Sequence, residues 1–258
     1  MSEASRPVGI IDDHYSLTDE RNVMAVVTVA SLTSRQRSEM LALLQTCYTN
    51  VSAAQFNRDL DEKEWVILAN DLNGEGMRGF STLRTIRVTV DDEPIVAFYS
   101  GDTVARPDTH GSATTFAGTR LVIRKMFYEM SRSQVPRERF VWFTINSTVK
   151  GYRLTSMIFR EFVPTPGRPL SPADRRLIAE LCRVKGLAFD SATGIVRLEN
   201  PTMPRELLGQ GEASRQDDPY VRFFRSANPG ADAGERIASL IELARENLTP
   251  VGDRMVFR

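Results

Sequence analysis

The chain predicts a mixed α/β (α+β) protein: a central, mostly antiparallel sheet flanked by helices, with a carboxy-terminal helical extension. Three observations carry that expectation. Between residues 65 and 104, three apolar segments follow one another with only short polar breaks. The 119–131 segment then sets Leu121, Val122, Met126, Phe127 and Met130 on one side of a helix. Beyond it, Val141-Trp142-Phe143-Thr144-Ile145 is apolar enough for a strand covered on both faces, and a second helical pattern follows.

Element by element, residues 1–21 mix charges, Ser and Pro and read as a loose lead-in. Val23, Met24, Ala25, Val26, Val27 and Val29 make 22–30 a first strand. Thr33-Ser34-Arg35-Gln36 has the spacing of a capping box, and the helix after it carries Met40, Leu41, Leu43, Leu44 and Tyr48. Ser52 and Gln55 repeat that signal before a shorter helix through Phe56 and Leu60. Residues 65–69, 79–90 and 94–104 are strands, and Asp91-Asp92 turns the last two into an antiparallel hairpin. Gly101 interrupts the third of these strands, which predicts a bulge or a close approach to the backbone. A strand at 139–147 and a helix ending before Pro164 complete the unit 22–166.

The remainder, 167–258, reads as an extension packed on that unit. Ser171-Pro172 opens a helix to about residue 184, and 194–198 is a further strand. Residues 209–218 form a turn-rich loop, and a last helix is expected over 233–246. Phe223, Phe224, Ile237, Leu240, Ile241 and Leu243 form an apolar set that would cap a tunnel in that unit or make a homodimer seam; both uses stay open.

Composition narrows the classes. The 258 residues include 33 basic and 33 acidic side chains, so no global field draws nucleic acid. His14 and His110 are the only histidines, and Cys47 and Cys182 sit in apolar helical patterns as buried thiols, so no metal site is expected. No apolar run approaches the ~20 residues of a membrane span, and the polar start has no signal-peptide pattern. A soluble, cytoplasmic protein is the expectation.

The strand Val96-Ala97-Phe98-Tyr99-Ser100-Gly101-Asp102-Thr103-Val104, the loop ending His110-Gly111-Ser112, the helix opened by Gly118-Thr119-Arg120 and the block Trp142-Phe143…Lys150-Gly151-Tyr152-Arg153 occur in a telling order. Over about residues 22–165 that order resembles the GCN5-related N-acetyltransferase (GNAT) fold. It is nearest to the branch of N-acyl amino acid synthases and autoinducer-synthase-like acyltransferases. The resemblance implies an N-acyltransferase moving an acyl group from a CoA or acyl-carrier-protein thioester to a small amine or amino acid, with no permanently bound cofactor. The loop has Gly111 and Gly118 but no compact Gly-x-Gly core. That turns the expected donor from acetyl-CoA toward a long-chain acyl-CoA or a carrier-protein thioester. A non-catalytic GNAT-like module that binds a ligand or partner is the alternative.

Acyl transfer to an amine needs donors for the thioester oxygen, a base for the amine and an acid for the thiolate. Backbone N–H groups near Ser100, Gly101 and Asp102 are candidates for the first role, and the Asp102 carboxylate or the His110 imidazole for the second. The resemblance puts Tyr152 in the acid's place and Gly111 and Ser112 at the donor's phosphates. Arg120 and Arg124, four apart on the following helix, are candidates for phosphate or an acidic carrier-protein helix. Tyr99 and Trp142 are candidates to line the substrate channel.

Overall fold

The computed structural model describes residues 16–18, 22–73, 76–106, 111–135, 138–198 and 216–257; of residues 111–113 it describes the backbone. In chain order the elements are β1 (Ser16–Thr18), β2 (Asn22–Thr28), α1 (Ser34–Cys47), α2 (Ala53–Asp61), β3 (Trp65–Asp71), β4 (Met77–Val90), β5 (Glu93–Ala105) and α3 (Gly111–Arg132). There follow β6 (Arg139–Asn146), α4 (Val149–Ile158), α5 (Pro172–Lys185), β7 (Ala188–Asp190), β8 (Ile195–Arg197), α6 (Pro219–Ala227), β9 (Glu235–Glu242) and α7 (Pro250–Phe257).

The nine strands of the described residues form one sheet in the order β1-β2-β3-β4-β5-β6-β9-β8-β7. Among the described residues only β5 and β6 pair in parallel, joined by the α3 crossover that such a pair requires. Local signals set several of these elements. The Thr33–Gln36 capping box forms, and Ser171 caps α5 with Pro172 in its first turn. Asp91 and Asp92 both take positive φ, 51° and 62°, as a two-residue hairpin turn demands. Arg176 of α5 grips Asp91 through Nη2 at 2.7 Å and so ties the hairpin tip to the helix layer.

Helices α3, α4, α6 and α7 cover one face of the sheet through Leu121, Met126, Tyr152, Ile158, Val221 and Met255. On the opposite face α1 and α2 pack over β3 and β4, and α5 over β5, β6 and β9. None of the described helices is long and apolar enough to cross a membrane.

Two expectations are corrected. Residues 233–246 hold not an α-helix but β9, which lies inside the sheet between β6 and β8. Ile237, Leu240 and Ile241 fall at helical spacing. Because β9 is buried on both faces, however, the alternation that marks a strand is absent. The lead-in supplies β1, which pairs with β2 through Ser16, Leu17 and Thr18. The predicted loop at 209–218 lies almost wholly outside the described residues.

Candidate active site

The site is built by two strands that part. β5 and β6 run side by side from the Ile95–Arg139 pair to the Ser100–Thr144 pair and no further. Both strands continue. β5 stays on β4 through Thr103, Val104 and Ala105, and β6 stays on β9 through Ile145 and Asn146. Past Ser100, therefore, the β6-side edge of β5 has no described strand paired to it, and the parting of the two strands leaves an opening in the sheet there.

A bulge sits on the β5 arm of that opening. Ser81 pairs with Thr103 and Leu83 with Ser100, so Gly101 and Asp102 together stand opposite Thr82. The glycine is required by crowding. A Cβ at position 101 would lie 2.5 Å from Thr82 Oγ1 and 2.8 Å from Lys63 Cε. Thr82 is buried, and its hydroxyl has no partner among the described residues.

Asp102 joins a charged cluster held between α2, α5 and β5. Lys63, its side chain fully buried, donates from Nζ to Asp59 Oδ2 at 2.6 Å and to the Asp59 carbonyl at 3.0 Å. Lys185 reaches Asp59 Oδ1 at 2.7 Å and Glu62 Oε2 at 2.9 Å. Both ammonium groups lie over the Tyr99 ring, 5.7 and 5.8 Å from its centre. The two cations are thus matched by Asp59 and Glu62 before Asp102 is counted.

That arithmetic governs the titration of Asp102. Burial, then repulsion from Asp59, drives its carboxyl up to about 6, only partly offset by Lys63 and Lys185. Burial and the neighbouring Lys185 outweigh Asp59 in holding the Lys63 ammonium below its ordinary value. For Lys185, the bonds to Asp59 and Glu62 outweigh burial and push it up. Asp59 itself is held low, its own burial overcome by the two lysines. A carboxyl that titrates near 6 is largely ionised at neutral pH and still basic enough to take a proton.

Tyr48, which ends α1, sits across the opening. Its hydroxyl hydrogen-bonds Ser147, just past β6, and feels the charges of Asp102 and Arg236. Burial, with Asp102 adding to it, pushes the phenol up to about 12, so it keeps its proton.

The remaining expected site residues divide. Tyr99 is beneath the cluster, tilted against Phe143 at 5.6 Å. Trp142 and Ser100 meet on the opposite face of the sheet, where Trp142 Nε1 donates to Ser100 Oγ at 2.8 Å. Tyr152 does not face the opening. It is fully buried, ringed by Phe162, Tyr220, Phe223 and Phe224, and donates its proton to the Pro164 carbonyl at 2.7 Å. A phenol sealed in that way has no access to a leaving thiolate, so the acid's role assigned to it is withdrawn.

Arg120 and Arg124 are likewise corrected as ligands of a phosphate at the start of α3. At 1.5 Å per residue they stand roughly 13 and 20 Å along the helix from Gly111, and Arg120 Nε donates to the Met255 carbonyl of α7 at 3.1 Å. Gly111 is the first residue of α3. His110 and the Ser112 side chain lie outside the described residues.

Sequence reasoning missed Asp59, Lys63, Lys185, Tyr48 and Arg236. Only Asp59 and Lys63, four apart at the end of α2, carried a local signal.

No protein-family model matches the chain, and no curated protein sequence does. Solved structures similar to it include a GNAT family N-acetyltransferase of Escherichia coli in complex with CoA, at 14% identity over 55% of this chain and 71% of that one, TM-score 0.38. A probable N-acyltransferase of Enterococcus faecalis is similar at 13% identity over 50% and 31%, TM-score 0.35. A putative GNAT-family acetyltransferase of Bordetella pertussis is similar at 16% identity over 60% and 95%, TM-score 0.35. At such values the chemistry of the site stands on the chain's own geometry.

Proposed function

We propose that this chain is an N-acyltransferase that moves an acyl group from an acyl-CoA thioester to a small amine or amino acid. The observation that carries the reading is the parting of β5 and β6 at Ser100 and Thr144, with a carboxyl titrating near 6 on the β5 arm. In this reading the pantetheine arm lies in the opening, and backbone N–H groups of β5 beyond Ser100 stabilise the thioester oxygen as it gains charge. The amine approaches from the face that holds Asp102. As its nitrogen bonds to the carbonyl carbon its proton becomes acidic and passes to the Asp102 carboxylate. The C–S bond then breaks, and the thiolate leaves with a proton supplied from the site, a role that the Tyr48 phenol, which feels the charge of Asp102, takes over from Tyr152.

The test is thiol release and product mass from purified protein, with acyl-CoAs of increasing chain length and a panel of amines. Asp102→Asn is expected to lower kcat by about 10²-fold or more while acyl-CoA is still retained. Neither retention nor release with any acyl-CoA, or with a carrier-protein thioester, would overturn the reading.

One observation favours a second reading, a ligand-binding module without turnover: the commitment of the Tyr152 hydroxyl to Pro164. Acyl-CoA retained without thiol release, whatever the amine, would select it.

A further inference from the structure

Arg236 on β9 is a buried cation with half of its guanidinium unused. The residue is fully buried. Its Nη1 donates to the carbonyls of Ala231 and Glu235 at 2.6 and 2.7 Å, which accounts for one edge of the group. Nε and Nη2 are buried and have no partner among the described residues. Among the described residues, the titratable neighbour whose charge it feels is the Tyr48 phenol, which is neutral. A cation so placed is costly to keep without a counter-charge.

The two idle donors are the pair that grips carboxylates. Nε–H and Nη2–H lie on one edge of the guanidinium, point the same way and match the two oxygens of a carboxylate. Other arginines among the described residues use this pair. Arg183 holds Glu180 through Nε at 2.8 Å and Nη2 at 2.7 Å. Arg176 holds Asp91 through the same two atoms.

Position gives the idle fork a purpose. Asn146 pairs with Ile237, so Ser147, the partner of Tyr48, stands opposite Arg236 as the register continues. Residue 236 alternates with Ala238 and Leu240, whose side chains belong to the α5-covered face. Asp102 and its lysines lie on that face as well. Tyr48 feels both Asp102 on the β5 arm and Arg236 beyond the β6 arm. Where all three are paired, β5 and β9 stand about 10 Å apart with β6 between them; past Ser100 and Thr144 that spacing widens, so Asp102 and Arg236 flank the parting from its two sides.

We infer that Arg236 binds the carboxylate of the acceptor through Nε and Nη2, so that the acceptor is an amino acid whose amine is presented to Asp102. The inference rests on the acyltransferase reading and narrows its acceptor. A phosphate group of the donor would fit the same fork. The face shared with Asp102, rather than the start of α3, points to the acceptor.

The experiment uses the full chain and matched acceptors that differ only by the carboxylate: glycine and methylamine, phenylalanine and phenethylamine, ornithine and putrescine. With the acyl-CoA that the protein retains, at least one amino acid is expected to exceed its matched amine by about 10²-fold in kcat/KM. Arg236→Gln should abolish that preference chiefly through KM, and Arg236→Lys should restore part of it. Calorimetric titration of the same compounds without an acyl donor gives a readout independent of turnover. Carboxylate-dependent binding lost in Arg236→Gln, with no acyl transfer to anything, would keep the carboxylate site and remove the acyltransferase reading. Equal use of amino acid and amine by the unmodified chain would overturn the inference even if the variants fail to fold. So would binding of neither member of any pair, or binding of inorganic phosphate with no discrimination within the pairs.

Discussion

Asp102→Asn should stabilise the fold, and by an amount that depends on pH. The carboxyl moves from an ordinary 3.8 to about 6 on folding, because burial and Asp59 disfavour its charge. The folded-state value is the higher one, so the folded chain holds the proton more tightly. The resulting penalty on stability is absent below about 3.8, grows as pH rises and is complete above about 6. Fully developed it amounts to about 3 kcal/mol, at about 1.4 kcal/mol for each pH unit between the two values. At pH 5 it is about 1.6 kcal/mol, so the advantage of the asparagine variant should grow by about 1.4 kcal/mol between pH 5 and pH 8. Urea unfolding of both proteins at the two pH values reads this as a double difference, in which titrating groups that do not feel Asp102 cancel. An advantage that stays flat with pH would refute the argument. One that shrinks toward pH 8 would mean that Lys63 and Lys185, not burial, decide the state of Asp102.

Further substitutions test the bulge, the reassigned acid and the charged cluster. Gly101→Ala drives a Cβ toward Thr82 Oγ1 and Lys63 Cε. It should cost about 1–3 kcal/mol in thermal or urea unfolding, part of which Thr82→Ala returns; an unchanged Tm would show that the bulge is not tight. Tyr152→Phe should lose about 1–2 kcal/mol of stability through the orphaned Pro164 carbonyl and leave the alkaline limb of the pH–rate profile in place. A large fall in kcat at unchanged stability would hand the acid's role back to Tyr152. Removing Lys63 as Lys63→Met takes away a charge that lowers Asp102, so the acid limb of kcat/KM should move up in pH, whereas Asp59→Asn should move it down. Opposite displacements would place the essential base elsewhere.

The parts of this site that were legible in the sequence are those determined by the backbone. A lone Gly in a strand of apolar residues predicts a bulge, and the bulge is there, because a missing side chain records crowding from whatever lies opposite. The carboxylate beside it could be named for the same reason. The cluster that sets its charge could not, since Asp59, Lys63 and Lys185 converge from α2 and α5 across more than a hundred residues of chain. Tyr152 shows the opposite failure: a residue in the expected position on α4 is turned by its own packing toward Pro164. Arg236 was hidden most thoroughly. Its segment reads as helix because a strand buried on both faces shows no alternation, and a charged residue at the edge of an apolar run reads as a solvated end. In the fold it lies near the start of an interior strand, between β6 and β8, fully buried. Pairing β9 with β6 is what brings its guanidinium beside Ser147 and Tyr48. If that cation served only to hold the 231–235 turn, one edge of it would suffice, and a neutral donor would hold the turn without burying a charge. The second edge, empty and aligned for two oxygens, is the part that packing alone does not require.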